Sequence, residues 1–585
     1  MKNIIKLTCL LLTVCGFAGC TGNFDEYNTD PYALYKGDPA VLIPTMLDAM
    51  MYVQQNDSQM VDQMVGSLGG YFTLSNRWGG QNFDTFNASD AWNATPYNTM
   101  FEDIYANFFD IEKSTSKSGH YYAMARLVRA AVMMRVADCY GPIPYSKVAD
   151  GSFYVEYDSA EDVYKHIIED LAGAATTLYA YAQEYPASKP LANNDPIFAG
   201  DYTAWARLAN SLCLRAAIRS NDREAAESAC GHAAGLIETN AQNAMMSPGV
   251  QGNPYQLASA SWGDLRINAS IVDYMTGYDD PRCEAYFQKS TFDNTRYIGM
   301  RAGTAGFEKS AVSGYSLPNV QSGSSLPIFV AAETNFLRAE MALREWTVGG
   351  TAQSYYEAGV RLSMEQNGVA GEDIDAYLAD ETLVPAGHLN DPRGAKYNYD
   401  RQTDVKIKWN DADGTEKNLE RIITQKWIAN FPMGLEAWAE FRRTGYPELA
   451  PAIDNLSGGV ISDNFRGLRR LRYPYTEANI SWNPAAVPAG ETLAPRYPGG
   501  SAALGEKLQK LADRTAAKKD NETAQKLAEA LRADGEKLCN DCVLPAADRY
   551  MGFVYDTFAT ALGEKSSIRV PHRAENLRYG CGRAR

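Results

Sequence analysis

The chain lacks a long apolar run in its main part, an excess of basic residues and an evident framework of paired cysteines. Its 585 residues hold 55 Lys and Arg against 71 Asp and Glu, a formal net charge of −16. A surface this acidic repels a phosphate backbone, which argues against nucleic acid as a partner. After residue 19, no stretch reaches the roughly 18 consecutive apolar residues expected of a membrane-spanning helix.

Common catalytic motifs are also missing. The sequence contains no G-x-x-x-x-G-K-[ST], H-E-x-x-H or G-x-S-x-G, which removes the simplest nucleotide-binding, zinc-protease and serine-hydrolase interpretations. The five histidines stand apart from one another, without metal-ligand spacing. Adjacent acids such as Glu102 and Asp103 are more typical of a solvated helix face than of a glycosidase pair. We therefore expect no catalytic residues, no cofactor and no metal.

The cysteines do not suggest a protein stabilised by disulfides. Seven of the ten lie after residue 20, and the first four of these are far apart. Cys539 and Cys542 have C-x-x-C spacing without a second pair, so a local disulfide or two free thiols is favoured over zinc.

The N-terminus resembles a bacterial lipoprotein signal. Lys2 and Lys6 flank the start of an apolar stretch, residues 7–17, that is too short to span a bilayer. Ala18 and Gly19 then precede Cys20, and a lipoprotein begins its mature chain with the cysteine that accepts lipid. We expect residues 1–19 to be removed and Cys20 to carry acyl chains such as palmitate. An ordinary secretory signal with an incidental cysteine is the alternative.

Apolar residues at three- to four-residue spacing predict a mainly α fold with long loops. The clearest stripes are Ala123, Leu127, Ala130, Met134 and Ala137; Val163, Ile167 and Leu171; Trp205, Leu208, Leu212 and Ala216; Phe336, Leu337, Met341 and Ala342; and Leu419, Ile423 and Trp427. Ser159 and Glu161 suggest a capped start for the second. Alternation over Val405, Ile407 and Trp409 predicts a short strand.

Four sequence blocks stand out in order along the chain: residues 24–31 (F-D-E-Y-N-T-D-P), 135–145 (R-V-A-D-C-Y-G-P-I-P-Y), 333–340 (E-T-N-F-L-R-A-E) and 423–447, which carries Trp427, Trp438 and Arg442-Arg443. Together they resemble the SusD/RagB family of outer-membrane nutrient-binding lipoproteins, in its starch-binding, outer-membrane-associating branch. The resemblance implies one helix-pair, TPR-like domain over residues 20–483 that is not an enzyme. It fails beyond residue 483, so residues 484–585 are expected to be an atypical helical extension or the product of a shifted reading frame.

The resemblance also implies a function. The protein would bind oligosaccharides at the cell surface, as part of polysaccharide utilisation, and deliver them to a SusC-like TonB-dependent outer-membrane transporter. Binding of peptides or another nutrient is the alternative on the same scaffold, and a lipid-anchored hydrolase is a third interpretation.

Sugar capture needs flat aromatic faces and polar groups that bind hydroxyls, and the loops supply both. Trp78 with Gln81 resembles a Trp and amide pair found in relatives with glycan sites. The candidate ligand contacts are Arg77, Trp78, Gln81, Asn82, Phe83, Trp262 and Tyr297. Trp262 belongs to a second loop, which also holds Tyr255, Asp264, Arg266, Tyr274 and Tyr278. The alternative is that these rings pack loops onto the scaffold or face the transporter.

Overall fold

The computed structural model describes residues 37–149, 155–461 and 463–474. Twelve helices of nine residues or more are numbered in chain order over this part of the chain. Helices α1 to α6 are Pro39–Leu47, Asp90–Thr115, Gly119–Tyr140, Ala160–Glu184, Tyr202–Ser220 and Arg223–Gly231. Helices α7 to α12 are Ala269–Gly277, Ala331–Leu343, Ala352–Gln366, Gly371–Ala379, Gly414–Ala429 and Gly434–Thr444.

Shorter turns connect these helices. Single α-turns are Gln55–Asp57, Met64–Gly66, Pro254–Gln256 and Cys283–Tyr286. The π-turns are Ser58–Gln63 and Leu257–Ser261. The 3₁₀ turns are Asp48–Met50, Ser67–Gly69, Trp78–Gly80, Asn240–Gln242, Gly249–Gln251, Lys309–Val312, Ala395–Tyr397 and Asp411–Asp413.

Successive helices pack as pairs, which confirms the mainly α, TPR-like prediction. Helix α4 packs between α3 and α5, and α8 packs against α9 and α11. The predicted apolar stripes lie at these contacts, and all their members are buried except Ala342, which is partly exposed. Burying one stripe of each amphipathic helix against its neighbours produces a continuous core.

The helix ends follow local sequence signals. Ser159 Oγ accepts a hydrogen bond from the Asp162 N–H, which caps α4 where the sequence predicts it. Helix α3 ends at Tyr140, and Gly141 follows with φ of +84°. Pro142 and Pro144 then prevent the helix from continuing.

Strands are few and short in the described residues. The strand β1 is Phe72–Leu74, β2 is Ala244–Met246, β3 is Leu265–Ile267 and β4 is Leu326–Phe329. They form two antiparallel ribbons, β1 with β3 and β2 with β4.

The predicted strand over residues 405–409 is wrong. Val405, Ile407 and Trp409 are buried in alternation, but the segment pairs with no strand. Side-chain donors bind its carbonyls instead: Tyr278 Oη donates to Val405 O at 2.9 Å and Tyr356 Oη to Ile407 O at 2.6 Å. The inward and outward alternation of an extended chain is therefore present without a ladder.

Two further features concern the described part of the chain. Its cysteines, Cys139, Cys213, Cys230 and Cys283, are free thiols. None of its helices combines the length and apolar character needed to cross a membrane. Cys20, the pair Cys539 and Cys542, and the predicted extension 484–585 lie outside the described residues.

Candidate functional site

The β1–β3 ribbon brings the Trp78 and Trp262 loops together. Leu74, the last residue of β1, pairs with Leu265, the first residue of β3. Ser75 extends the pairing, because its N–H donates to Asp264 O at 2.8 Å and its hydroxyl to Gly263 O at 2.9 Å. The chain leaving β1 and the chain entering β3 thus run side by side, each with a tryptophan within four residues of the ribbon.

Asp264 connects these two loops to a third segment. Its Oδ1 accepts hydrogen bonds from Asn76 Nδ2 at 2.9 Å and from Lys309 Nζ at 2.5 Å. Gln59 Nε2 donates to its Oδ2 at 3.0 Å. Lys309 Nζ also donates to Trp262 O at 2.6 Å. The turn Lys309–Val312 therefore closes the third side of a cluster that holds both tryptophan loops.

Trp78 begins a run of three residues with left-handed backbone conformations. Trp78, Gly79 and Gly80 all have positive φ, at 37°, 71° and 88°. A Cβ added to either glycine would meet nothing within 4 Å, so this side of the loop is open to a ligand. A bulky residue at positive φ costs on the order of 1–3 kcal/mol, and such strain concentrates at functional sites.

The Trp78 ring packs edge-on against Trp92 in the first turn of α2. The ring centroids are 5.6 Å apart at an interplanar angle of 80°. Both rings remain partly exposed. The sequence favours a packing role for Trp92, and the structure adds that what it packs against is the candidate ligand ring.

Two of the predicted contacts, Asn82 and Phe83, are scaffold rather than surface. Phe83 is 0% exposed and belongs to the main core, which corrects the expectation that its ring faces a ligand. Asn82 is 5% exposed and donates from Nδ2 to Asn76 O at 3.2 Å, so it holds the loop closed. Gln81, the residue before them, is exposed.

Asp84 fixes the base of the same loop. It accepts hydrogen bonds from Ser67 Oγ at 2.6 Å and from the Leu74 N–H at 3.0 Å. Burial raises the pKa of Asp84 to about 6, although both hydrogen bonds act in the opposite direction. The Asp84 carboxyl group thus links the end of β1 to the chain that follows the Trp78 loop. Residues 77–81, between these two points, are partly or fully exposed.

Tyr297 has a different set of neighbours. Its ring packs edge-on against Phe287 at 6.0 Å, and Lys289 Nζ lies 5.5 Å from its centroid. It is partly exposed. Within the described residues, no ring contact or hydrogen bond joins Tyr297 to Trp78 or Trp262, so its grouping with them remains a prediction.

The other polar and aromatic residues of the second loop are buried. Tyr274 and Tyr278 lie on and just after α7, and their hydroxyls donate to the carbonyls of Glu448 and Val405. Arg266 donates to the carbonyls of Ser259, Leu265 and Val312. Only Trp262 of this set is partly exposed, so sequence alone overstates the number of available rings.

Two cavities of the molecule are too small to enclose an oligosaccharide. Cavities of about 60 and 50 Å³ lie within the described residues, and Asp84 and Phe86 line the first. A pocket that encloses a small ligand measures about 300 Å³ or more. Neither of these two cavities is large enough to enclose such a ligand, and neither is lined by Trp78 or Trp262.

Comparison with known proteins assigns the family. The SusD-like family model, described as "Susd and RagB outer membrane lipoprotein", matches residues 26–492. The chain belongs to the SusD-like family. No curated protein matches it.

Solved structures of SusD-like proteins have the same fold. One from Bacteroides thetaiotaomicron VPI-5482 has 36% identity and a TM-score of 0.72, covering 77% of this chain and 94% of its own. A SusD homolog from Bacteroides uniformis ATCC 8492 has 36% identity and a TM-score of 0.71, covering 78% and 98%. A chitin-binding SusD homolog from Flavobacterium johnsoniae has 32% identity and a TM-score of 0.72, also covering 78% and 98%.

Proposed function

We propose that this SusD-like protein binds oligosaccharide nutrients on the surface formed by the Trp78 and Trp262 loops. The observation that carries the proposal is the pairing of Leu74 with Leu265, which brings two partly exposed tryptophans to one end of a ribbon. Aromatic faces stack on the apolar faces of pyranose rings, and Gln81 and Arg77 beside Trp78 supply groups for hydroxyls. A chitin-binding relative supports a carbohydrate as the ligand class.

We further propose that the protein acts from the outer surface of the cell. Residues 1–19 would be removed, Cys20 would carry the lipid, and residues 20–483 would form the binding domain. Each buried methylene contributes about 0.8 kcal/mol, so several acyl chains would hold the protein on the outer membrane. A SusC-like TonB-dependent transporter would then receive the bound oligosaccharide.

Alanine variants of the two tryptophans test the binding site. We expect Trp78→Ala to lower glycan affinity about tenfold or more, because a stacked aromatic contact in a hot spot contributes about 1.4 kcal/mol or more. Trp262→Ala should also weaken binding. The measurement is a glycan array followed by calorimetry with the best ligand, with circular dichroism to check folding.

Trp346→Ala is the matched control. Trp346 is another partly exposed tryptophan, which follows α8 and lies against Arg344. Its replacement should leave glycan affinity unchanged. Unchanged affinity in both Trp78→Ala and Trp262→Ala would remove the proposed site.

Two further assays distinguish glycan binding from the peptide-carrier and hydrolase alternatives. A peptide array that binds the protein while the glycan array does not would favour a peptide carrier on this scaffold. Release of shorter products from a polysaccharide by the pure protein would indicate the hydrolase. Retention of the intact glycan is the expected result.

The lipid anchor has its own test. Mass spectrometry of the mature protein should find a diacylated N-terminal Cys20, and Cys20→Ser should move the protein out of the membrane fraction. A mature N-terminus at another residue without lipid would contradict the anchor and leave the glycan site standing.

A further inference from the structure

Three partly exposed cations lie around the tryptophans, and each contacts a carboxylate. Arg77 Nη1 lies 3.2 Å from Glu308 Oε1, and Lys309 Nζ lies 2.5 Å from Asp264 Oδ1. At the start of α2, next to Trp92, Arg472 Nη1 lies 2.7 Å from Asp90 Oδ1. The three pairs sum to zero charge, although they bring six ionised groups to the site.

We propose that this site selects uncharged oligosaccharides and that Glu308 is the residue that excludes acidic ones. This inference rests on the proposed glycan function. Arg77 directly precedes the candidate stacking residue Trp78 in the chain. Its guanidinium would otherwise attract a uronate carboxylate or a sulfate, because these anions suit the geometry of arginine.

The backbone of Glu308 is fixed by the elements around it. Glu308 immediately precedes the turn Lys309–Val312, and its carbonyl accepts a hydrogen bond from the Ala311 N–H at 2.9 Å. Phe307 and Val312, on either side, belong to a small separate core with Ile298, Met300 and Tyr315. The side chain of Glu308 is 76% exposed and that of Arg77 is 49% exposed, so both reach the surface that a ligand would cover.

The pair favours a neutral sugar for a second reason. A sugar hydroxyl is both a donor and an acceptor, so one hydroxyl can accept from Arg77 while its neighbour donates to Glu308. An anionic group can only accept, and it would lie close to the carboxylate already bound to Arg77. The anionic group of the ligand and the Glu308 carboxylate would repel each other, and the net charge of −16 on the chain adds to the repulsion.

Replacing Glu308 by Gln tests the proposal. The probes are chitohexaose and maltohexaose as neutral ligands, and oligogalacturonate and a heparin hexasaccharide as acidic ligands. We expect the wild-type protein to bind a neutral probe and to bind acidic probes more weakly. Glu308→Gln should raise affinity for acidic probes about fivefold, near the upper range for an exposed charge pair, whereas affinity for neutral probes should not rise, because they carry no charge for the freed guanidinium to attract.

Two variants make the result specific. Glu381→Gln removes the same charge from another exposed pair, in which Glu381 Oε2 lies 3.0 Å from Lys408 Nζ, and should change nothing. The double variant Arg77→Gln with Glu308→Gln should lose the gained affinity, because the freed guanidinium is its source. The gain should also diminish at high salt.

The outcomes distinguish this inference from the proposed function. Equal or tighter binding of acidic probes by the wild-type protein, with binding lost in Trp78→Ala, would overturn the inference and keep the glycan site. An equal gain in Glu308→Gln and Glu381→Gln would overturn it as a nonspecific charge effect. Failure of every neutral and acidic probe to bind would count against the proposed function itself, and this inference with it.

Discussion

His388 lies between two carboxylates near the C-terminal end of α7. Its Nε2 is 2.9 Å from Asp391 Oδ2 and its Nδ1 is 3.2 Å from Asp273 Oδ2. The ring also stacks on Tyr399 at 5.5 Å. A doubly protonated imidazole can donate to both acids, whereas a neutral ring can donate to only one. Sequence could not identify this arrangement, because 115 residues separate His388 from Asp273.

We predict that the deprotonation of His388 makes the folded protein less stable as the pH rises into the alkaline range. Burial lowers the pKa of His388, but hydrogen bonds from its ring to Asp273 and Asp391 outweigh burial and raise the pKa to about 9. An unfolded histidine titrates near 6.5, so the stabilisation is fully present below that pH and is lost as pH rises through about 9. The free energy of unfolding, measured with urea, should fall by on the order of 2 kcal/mol between pH 6 and pH 9.5.

The variant His388→Asn should have a flatter profile over the same pH range. His166→Asn is the control, because His166 is a partly exposed histidine whose Nδ1 lies 3.0 Å from Glu169 Oε2, and it should behave as wild type. A loss of stability in His388→Asn as steep as in the wild type would show that another group causes it.

At the scale of elements, glycines permit the close contact that positions β1. A Cβ on Gly434, the first residue of α12, would lie 2.6 Å from Gly66 O. A Cβ on Gly69 would lie 2.5 Å from Gly434 O. The backbones of residues 66–69 and α12 therefore touch directly. Trp427 Nε1 also donates to Gly69 O at 2.8 Å, which holds the chain just before β1 and the Trp78 loop.

We predict that Gly434→Ala separates these elements. The added methyl group must displace backbone rather than a flexible side chain, so the free energy of unfolding should fall by about 2 kcal/mol or more. Thermal and urea unfolding would measure the change. Gly231→Ala is the control, since a Cβ at Gly231 meets nothing within 4 Å, and its effect should stay within about 0.5 kcal/mol. Equal effects in the two variants would contradict the close-contact explanation.

Element predictions succeeded where one local signal was sufficient. The stripe at Val163, Ile167 and Leu171 and the cap at Ser159 each identify α4 without reference to other parts of the chain. The alternation at Val405, Ile407 and Trp409 also reported burial correctly. The same pattern cannot show that a strand forms, because a strand needs backbone hydrogen bonds to a partner segment. Here tyrosine hydroxyls, rather than backbone N–H groups, donate to the carbonyls of Val405 and Ile407.

At the scale of the molecule, buried ion pairs connect five helices. Arg215 of α5 donates to both carboxylate oxygens of Glu333 of α8 at 2.7 Å. Arg219 of α5 donates to Asp138 of α3 at 2.6 Å and to Glu436 of α12. Lys426 of α11 lies 3.3 Å from Glu440 of α12. Burial would raise the pKa of Glu436, but Arg215, Arg219 and Lys426 lower it to about 2.

Breaking one of these pairs should destabilise the whole domain. Arg443 of α12 donates to Glu340 of α8 at 2.6 Å and to Glu440 at 2.7 Å, with its side chain fully buried. Arg443→Met leaves both acids without this partner, and we expect a loss of about 3–5 kcal/mol in the free energy of unfolding. If that variant does not fold, Arg443→Lys should fold with a smaller loss, measured by urea denaturation.

Arg361→Met is the control for this prediction. Arg361 forms an exposed pair with Asp375, with 41% of the Arg361 side chain accessible, so its loss should cost less than about 1 kcal/mol. Similar losses in Arg361→Met and Arg443→Met would contradict a special role for the buried network.

Sequence alone was sufficient to predict the helices, the short turns that end them and the family, because apolar spacing, caps and ordered motif blocks are local signals. It also put forward Trp78 and Trp262 as candidate sugar-stacking rings, and both are partly exposed. Which rings are exposed depends on tertiary contacts: Phe83 is in the core, while Trp78 lies on a loop beside Trp92. Exposure and charge pairing follow from which distant segments meet, and no local pattern in the 190 or so residues between Leu74 and Leu265 predicts that contact.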